Sequence, residues 1–551
     1  MNRLKLAIAS VALSLLCMGA ALPAAQESSP RPVYPLYAIA SNTPREPTAA
    51  DLRVLARNFV LVQARFSPEA IRQLHKINPD FKVVHYYNST YTSSADHVPI
   101  AEGRFRRALL MFRVATLGSN IDTTAKQFSL RRLQPNRPVS LRASTIAGRL
   151  SSGDPRRPST KYYVTWIRIG DELMRIERFD RATGRITVTR GFDGSTATAH
   201  AAGDPVFSPV YLGSTNDAGA WPGGPGRYLR YAFDPANPAG TNWRLEQMVE
   251  DFQHGYDGFW LDICSASPFN LADSDGQHVV PWDFRTGRPY DKRAYLDGQQ
   301  IKVHTIQTAI HQRFGRWPVV VANNMRATTF EPADGGQKLM LLATPIKPRP
   351  LDGYCIENYA GHFAARAAER ARRRGPEYNP VSHWQANEVM LMKCAQQRLA
   401  AYPMIANAGV KSLLLEGLGP IRDQFEMFAY ASYLLAVEKD SPTRLGLPVY
   451  YQENGRRFAR LHPRYTWPIG APAETIAPEK LDTYRVPGHL SYRRRFSNGI
   501  VLVNPEEKDD MAITLERDYY DPETGRKTNR VRLKAHTGKI LLRQAAGRPA
   551  H

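Results

Sequence analysis

Short runs rich in Val, Ile, Leu and aromatic residues recur along this chain with helix-like segments between them, and that alternation constrains the fold more than any other feature. In order the runs are VYPLYAIA (33–40), FVLVQ (59–63), KVVHYYN (82–88), RYLRYAFD (227–234), GFWLDIC (258–264), WPVVVAN (317–323), DGYCIEN (352–358) and SLLLEG (412–417). Strands joined through helices pair in parallel, because the crossover brings the chain back in the same direction. Helical joints are legible at TAADLRVLAR, SPEAIRQLHKI, NWRLEQMVEDFQ and RDQFEMFAYASYLLAV, and Ser67, Pro68 and Glu69 supply the second with an N-cap and first turn. Eight βα units are what a TIM barrel needs, so the spacing predicts an α/β fold of the (β/α)8 class.

The rhythm breaks once, between Asn88 and position 227. A structureless loop of that length is improbable inside a compact domain, so the segment is read as an inserted all-β module between barrel strands three and four. WIRIGDELMRIERF (166–179) has a Gly-Asp turn between two alternating runs, and TGRITVTRGFDGS (183–195) follows with more turn signals. Beyond Pro442 the pattern changes again, to LSYRRRFSNGIVLVNP and a further stretch of alternating runs with polar turns, which predicts a C-terminal β-sandwich. The expected boundaries are barrel 33–103 and 216–442, insert 104–215 and C-terminal domain 443–551.

The first residues read differently. Arg3 and Lys5 precede an apolar run at 6–22, and Ala24 and Ala25 follow, which is the build of a secretory signal peptide over 1–25. No later segment is apolar and long enough to span a bilayer, so the expectation is a secreted or periplasmic protein without an integral membrane segment. The net charge of +22 then points away from nucleic acid and toward a polysaccharide, an anionic one fitting the charge, with a merely solvated basic surface as the plain alternative. Past the signal, Cys264, Cys355 and Cys394 allow one disulfide and one free thiol, and spacing does not choose the pair. They lack the CxxC or HxxxH company of a metal site, and no cofactor motif is present: WPGGPGR (221–227) is broken by Pro225 and lacks the ending of a phosphate loop. No GxSxG elbow occurs either.

Several of the predicted strands end on an acid: Asp234, Asp262, Glu357 and Glu416. In a parallel barrel the C-terminal strand ends face the substrate, so an acid closing an apolar strand is placed for chemistry. Two carboxyl groups in one cleft are what glycosidic hydrolysis uses. His85, Tyr87, Asn324 and Trp384 stand near other strand ends, as side chains that stack on sugar faces or bond hydroxyls. Tyr86 is read as packing, since strand neighbours alternate faces, and His85 taken alone is more often a satisfied histidine.

FKVVHYYNSTYT, the FDPANPAG segment before a helix, GYDGFWLDI, VVVANN and DGYCIENYAG, with the tail's RRFSNGIVLVNP, together resemble the hypothetical glycosyl hydrolases of TIM-barrel type found among bacterial exported proteins. That resemblance implies Asp262 and Glu357 as the catalytic carboxylates; Glu416, Asp234, Asn324, His85, Tyr87 and Trp384 are then assigned to substrate contacts. The insert, through IRIGDELMRI and ITVTRGFDGSTATAHAAG, looks like small β modules of phage tail and surface-attachment proteins. Two outcomes follow: a polysaccharide hydrolase, or a glycan-binding protein on a barrel without catalysis.

Overall fold

The computed structural model describes residues 31–40, 46–90, 106–134, 166–180, 182–213, 229–262, 279–325, 351–356, 377–396, 398–405, 419–438, 441–448, 461–475 and 478–545, with short pieces at 136, 139, 143–144, 264, 272–273 and 359–362. Eight parallel strands make its main sheet, in the spatial order Ala401–Pro403, Gly353–Ile356, Val319–Met325, Gly258–Asp262, Lys82–Asn88, Leu61–Ala64, Leu36–Ala40 and Leu445–Pro448. The two ends meet through a parallel bridge between Met404 and Gly446, so the sheet curls into a nearly closed barrel.

Six of these strands coincide with predicted runs; two do not. RYLRYAFD is not the fourth barrel strand: Leu229–Tyr231 pairs antiparallel with Tyr211–Gly213, and Gly258–Asp262 takes the place beside Lys82–Asn88. SLLLEG, and Glu416 with it, lies outside the described residues. Among the described residues the seventh and eighth strands are Ala401–Pro403 and Leu445–Pro448. Both are short and end on Pro, which loses a ladder donor and reads as a turn signal in sequence.

Alternation sorts the barrel side chains into two layers. Phe259 and Leu261 join the large outer core under the helices, whereas Trp260 points inward with Tyr37, Ile39, Leu61, Val84, Val321, Cys355, Tyr402 and Met404. Tyr37 stacks on Trp260 with centroids 5.4 Å apart, and Tyr402 meets Tyr37 edge-on at 5.1 Å. Such a filled interior needs glycine opposite the rings. A Cβ on Gly446 would lie 2.2 Å from Tyr37 Cζ, and one on Gly353 would lie 2.0 Å from Tyr402 Cε2. Gly446→Ala is therefore expected to destabilise the protein by about 1–3 kcal/mol through overpacking, read as a lower urea midpoint; an unchanged midpoint would show that the ring plug yields.

A second, antiparallel sheet is built from Met111–Leu117, Gln127–Arg131, Trp166–Ile169, Glu172–Phe179, Arg185–Thr189 and Pro205–Pro209. Pro205–Pro209 pairs with both Met111–Leu117 and Trp166–Ile169, which closes a small barrel around its own apolar core. Pro281–Asp283, from the chain beyond Asp262, adds to it beside Met111–Leu117. The TRGFDGSTATAH stretch is explained by one buried acid. Glu172, 1% exposed, accepts from Arg190 Nε at 2.7 Å and Nη2 at 2.8 Å, from His200 Nε2 at 2.9 Å, and from the N–H groups of Gly191 at 3.0 Å and Thr198 at 3.1 Å. Gly191 at φ 58° and Gly194 at φ 70° allow the left-handed turns that bring those donors round.

Among the described residues the C-terminal region holds one five-stranded antiparallel sheet, in the order Tyr492–Phe496, Gly499–Asn504, Thr537–Leu542, Ile513–Tyr520 and Lys527–Val531, where a two-sheet sandwich was expected. A helix takes the place of the second sheet: Gly419–Ala436 lies against it, and Tyr492, Phe496, Val501, Val503, Ile540 and Leu542 join the barrel's outer core. The wholly buried Arg494 donates to the carbonyls of Leu435 at 2.8 Å and of Leu434 and Val437, and to Glu438 Oε1 at 2.9 Å. A guanidinium thus satisfies the orphan carbonyls at that helix's C-terminus, where the helix dipole favours a cation.

Candidate active site at the barrel mouth

GYDGFWLDI places two acids at opposite ends of the fourth barrel strand. Gly255, at φ 102°, turns the chain out of helix Pro238–Gln253. Asp257, 6% exposed, then accepts from Val83 N–H at 2.9 Å and from His75 Nε2 at 2.9 Å, which pins the strand's entry end to the third strand. Five residues on, Asp262 leaves the strand's exit end on the inward face, half-buried. Asn323 Nδ2 donates to its Oδ1 at 2.7 Å, and the Tyr86 hydroxyl donates to its Oδ2. Both carboxyl oxygens therefore face a donor, an arrangement that serves a carboxylate acting as nucleophile or base.

The exit end of the third strand is fastened to the same point. Ser89 N–H donates to the Asp262 carbonyl at 2.9 Å, and Lys302, on helix Lys292–Phe314, donates through Nζ to the Ser89 carbonyl at 2.8 Å. Lys302 is 6% exposed, and burial brings its ammonium down from 10.5 to about 8. Cys264 lies buried in the same outer layer, where burial raises its thiol and the Lys302 charge acts against that. Cys264, Cys355 and Cys394 are all buried free thiols, so no disulfide joins any two of them. Among the described residues no group of three or more His, Cys, Asp or Glu side chains could hold a metal ion.

The other expected contacts divide sharply. His85 and Tyr87 do not face the mouth: they point outward, where His85 Nδ1 and the Tyr87 hydroxyl both meet Asp251 Oδ2 on helix Pro238–Gln253. His85 also stacks on Tyr256 at 5.0 Å, and burial, followed by the Asp251 charge, holds the Tyr87 hydroxyl well above its ordinary range. The inward residue of that strand is Tyr86, expected only to pack. The missed signal was register: Asn88 pairs with Asp262 and Tyr86 with Trp260, so Tyr86 shares the face of the acid.

Trp384 is core. It is 1% exposed in helix Val381–Gln396, donates to Ser432 Oγ at 2.9 Å and meets Tyr492 at 4.9 Å, which leaves it no face for a sugar. Asp234 ends no barrel strand. It is 6% exposed, accepts from the Tyr290 hydroxyl at 2.6 Å and from Ala236 N–H at 3.0 Å, and burial raises its carboxyl above the usual range. Its partners tie the chain beyond Asp262 to the segment before helix Pro238–Gln253, a fastening role. Asn324 lies in strand Val319–Met325, but its side chain is outside the described residues; the amide that reaches Asp262 is its neighbour Asn323. Glu357 also lies outside the described residues.

No protein-family model matches the chain, and no curated protein does. Solved structures similar to it include the glycoside hydrolase domain of PelA from Pseudomonas aeruginosa, at 12% identity and a TM-score of 0.33, covering 76% of this chain and 95% of that one. Trehalose-6-phosphate hydrolase (TreA) of Bacillus licheniformis is 10% identical with a TM-score of 0.43, over 93% and 99% of the two chains. A family GH13_31 enzyme is 10% identical with a TM-score of 0.41, over 92% and 98%. Likeness at that level says nothing of the chemistry at Asp262.

Proposed function

We propose that this chain is an exported glycoside hydrolase that cleaves a polysaccharide with two carboxyl groups, Asp262 as nucleophile or base and Glu357 as general acid. The observation that carries the proposal is the inward Asp262 carboxylate at the exit end of the fourth barrel strand, with a donor on each oxygen. Asp262 attacks the anomeric carbon, or takes the proton of the water that attacks it, while the bond to the glycosidic oxygen breaks and a second group protonates that oxygen. Glu357 follows Ile356, the last residue of the sixth strand, in the sequence, and an acid just past a barrel strand's C-terminal end is assigned as the general acid. The basic N-terminal segment with its apolar run supports export.

The test is reducing-sugar release from a panel of acidic and neutral polysaccharides, set beside binding to the same panel. Release from at least one member, abolished by Asp262→Asn, is the expected result. Binding without release by the folded protein would replace this reading with the non-catalytic glycan-binding one.

Lys302 is assigned as a positioning residue through the chain Lys302–Ser89–Asp262. Lys302→Met keeps the length and removes the donor. Losing a costly buried ammonium offsets part of the penalty, about 1–3 kcal/mol, for leaving the Ser89 carbonyl without its donor, so global stability is expected to fall only slightly, while kcat falls about tenfold with KM little changed, as for an interaction felt in the transition state. Equal loss of stability and activity would make Lys302 merely structural.

A further inference from the structure

The C-terminal sheet treats its cations in two ways. Across most of the sheet they are paired: Arg485 with Glu506 at 3.8 Å, Arg493 with Glu516 at 3.9 Å, Arg495 with Glu474 at 3.2 Å and Glu516 at 3.4 Å, and Lys539 with Asp521 at 2.8 Å and Glu523 at 2.9 Å. Along the last strand in spatial order, Lys527–Val531, the pattern reverses. Arg526, Lys527, Arg530, Arg532 and Lys534 are all exposed within nine residues. Among the described residues only Arg532 of these five has an acid within reach, Asp509 at 3.9 Å with the Arg532 side chain 70% exposed.

Geometry turns that run into a row. Val531 and Leu533 enter the sheet's second apolar core, and the residues that alternate with them, Arg530 on the strand and Arg532 and Lys534 in the segment just after it, are all exposed. Among the described residues the strand pairs only with Ile513–Tyr520, which leaves its other edge open beside the row. Charged side chains on an edge strand discourage edge-to-edge pairing, yet that purpose is met by one or two and does not need neighbouring acids kept away. A run of exposed cations, four of the five without an acid within reach among the described residues and Arg532 with one at 3.9 Å, on an open edge suits a linear polyanion, and multiple weak contacts along one chain add through effective concentration.

We propose that this edge, through Arg530, Arg532 and Lys534 with Arg526 and Lys527 beside them, is a docking surface for an acidic polysaccharide, separate from Asp262. The choice of a polysaccharide rests on the functional reading above; the demand for a polyanion rests on the edge alone. Beside the row, Lys527 Nζ lies 5.0 Å above the Tyr520 ring.

Retention of the full chain on immobilised polygalacturonate tests this, with dextran as the neutral polymer and duplex DNA as the alternative polyanion. Three proteins are compared: wild type, R530S/R532S/K534S, and R485S/R493S/R495S, which loses the same charge from paired positions of the same sheet. The expected result is at least tenfold weaker binding and a flatter salt dependence for the first triple variant only, since each missing cation releases fewer counterions. Circular dichroism confirms that both variants fold. Equal weakening in both variants would mean net charge and overturn the docking surface; so would unchanged binding in the first, or duplex DNA held as tightly as polygalacturonate. Asp262→Asn is expected to bind like wild type, so a failure of the hydrolase reading leaves this result standing, and the reverse.

Discussion

Asp262→Asn is expected to lower polysaccharide turnover at least a thousandfold, roughly 4 kcal/mol of transition-state stabilisation, while the unfolding midpoint barely moves. The substitution removes the charge and the nucleophilic or basic oxygen yet keeps the shape. Its neighbours can accommodate it: the Asn323 amide can donate to the new carbonyl oxygen, and the Tyr86 hydroxyl can accept from the new amide instead of donating to a carboxylate. A fold that stays intact isolates the chemical loss. Tyr86→Phe removes the donor on Oδ2 without touching the carboxylate and is expected to cost ten- to a hundredfold in kcat. Initial rates of reducing-end release measure both, with urea unfolding as the control. An Asp262→Asn protein that turns over at the wild-type rate would exclude Asp262 from the mechanism and end the hydrolase proposal.

Glu172→Ala carries the largest expected loss of stability, about 3–5 kcal/mol, confined at first to the small β barrel. It deletes the acid that accepts from Arg190 Nε and Nη2, a side chain 5% exposed, and leaves Nε and the N–H groups of Gly191 and Thr198 without that acceptor, while Arg190 keeps its bonds to the carbonyls of Asp122, Ala125 and Thr198. Hydrogen exchange followed by mass spectrometry should show faster exchange across 166–189 than in the main barrel strands; protection equal to wild type there would refute the assignment. The same acid sets a pH dependence. Burial opposes its ionisation, but the bonds from Arg190, Gly191, His200 and Thr198 outweigh that and bring the carboxyl from 4.5 down to about 2. A carboxyl depressed on folding stabilises above its unfolded value, so the contribution is complete above pH ~4.5 and is lost as pH falls toward 2, roughly 3 kcal/mol in all. Protection of 166–189 should therefore weaken between those limits in the wild type. In Glu172→Gln, which cannot titrate, it should be lower at neutral pH and flat across the same window.

Much of the architecture was legible because it follows from local periodicity. Six of the barrel strands, the hairpins of the small barrel, and helices such as Pro68–Ile77 with its Ser67 cap announce themselves in runs of a few residues. An acid at the exit of GFWLD was legible for the same reason: a strand that is apolar on both faces and then stops on a carboxylate has few uses for it. RYLRYAFD shows the limit, since alternation alone predicts a strand without saying which sheet it enters. AYP and LGLP show the converse, because pairing on the barrel's two ends makes strands of segments whose own preferences are for turns.

What the sequence determined by itself was the βα alternation with six of the barrel strands in their order, the β-rich character of the segment after Asn88 and of the tail, and the place of Asp262 at a strand's end. What only the tertiary structure decided was facing. Adjacent Tyr86 and Tyr87 are chemically alike, yet one reaches Asp262 inside the barrel and the other Asp251 outside it. The difference lies in the register of Lys82–Asn88 against Gly258–Asp262, a pairing between segments some 170 residues apart. A shift of one residue would exchange the two tyrosines. Register is fixed by the summed burial of both faces and by anchors such as Asp257 on Val83, and those contacts exist only once the chain has folded.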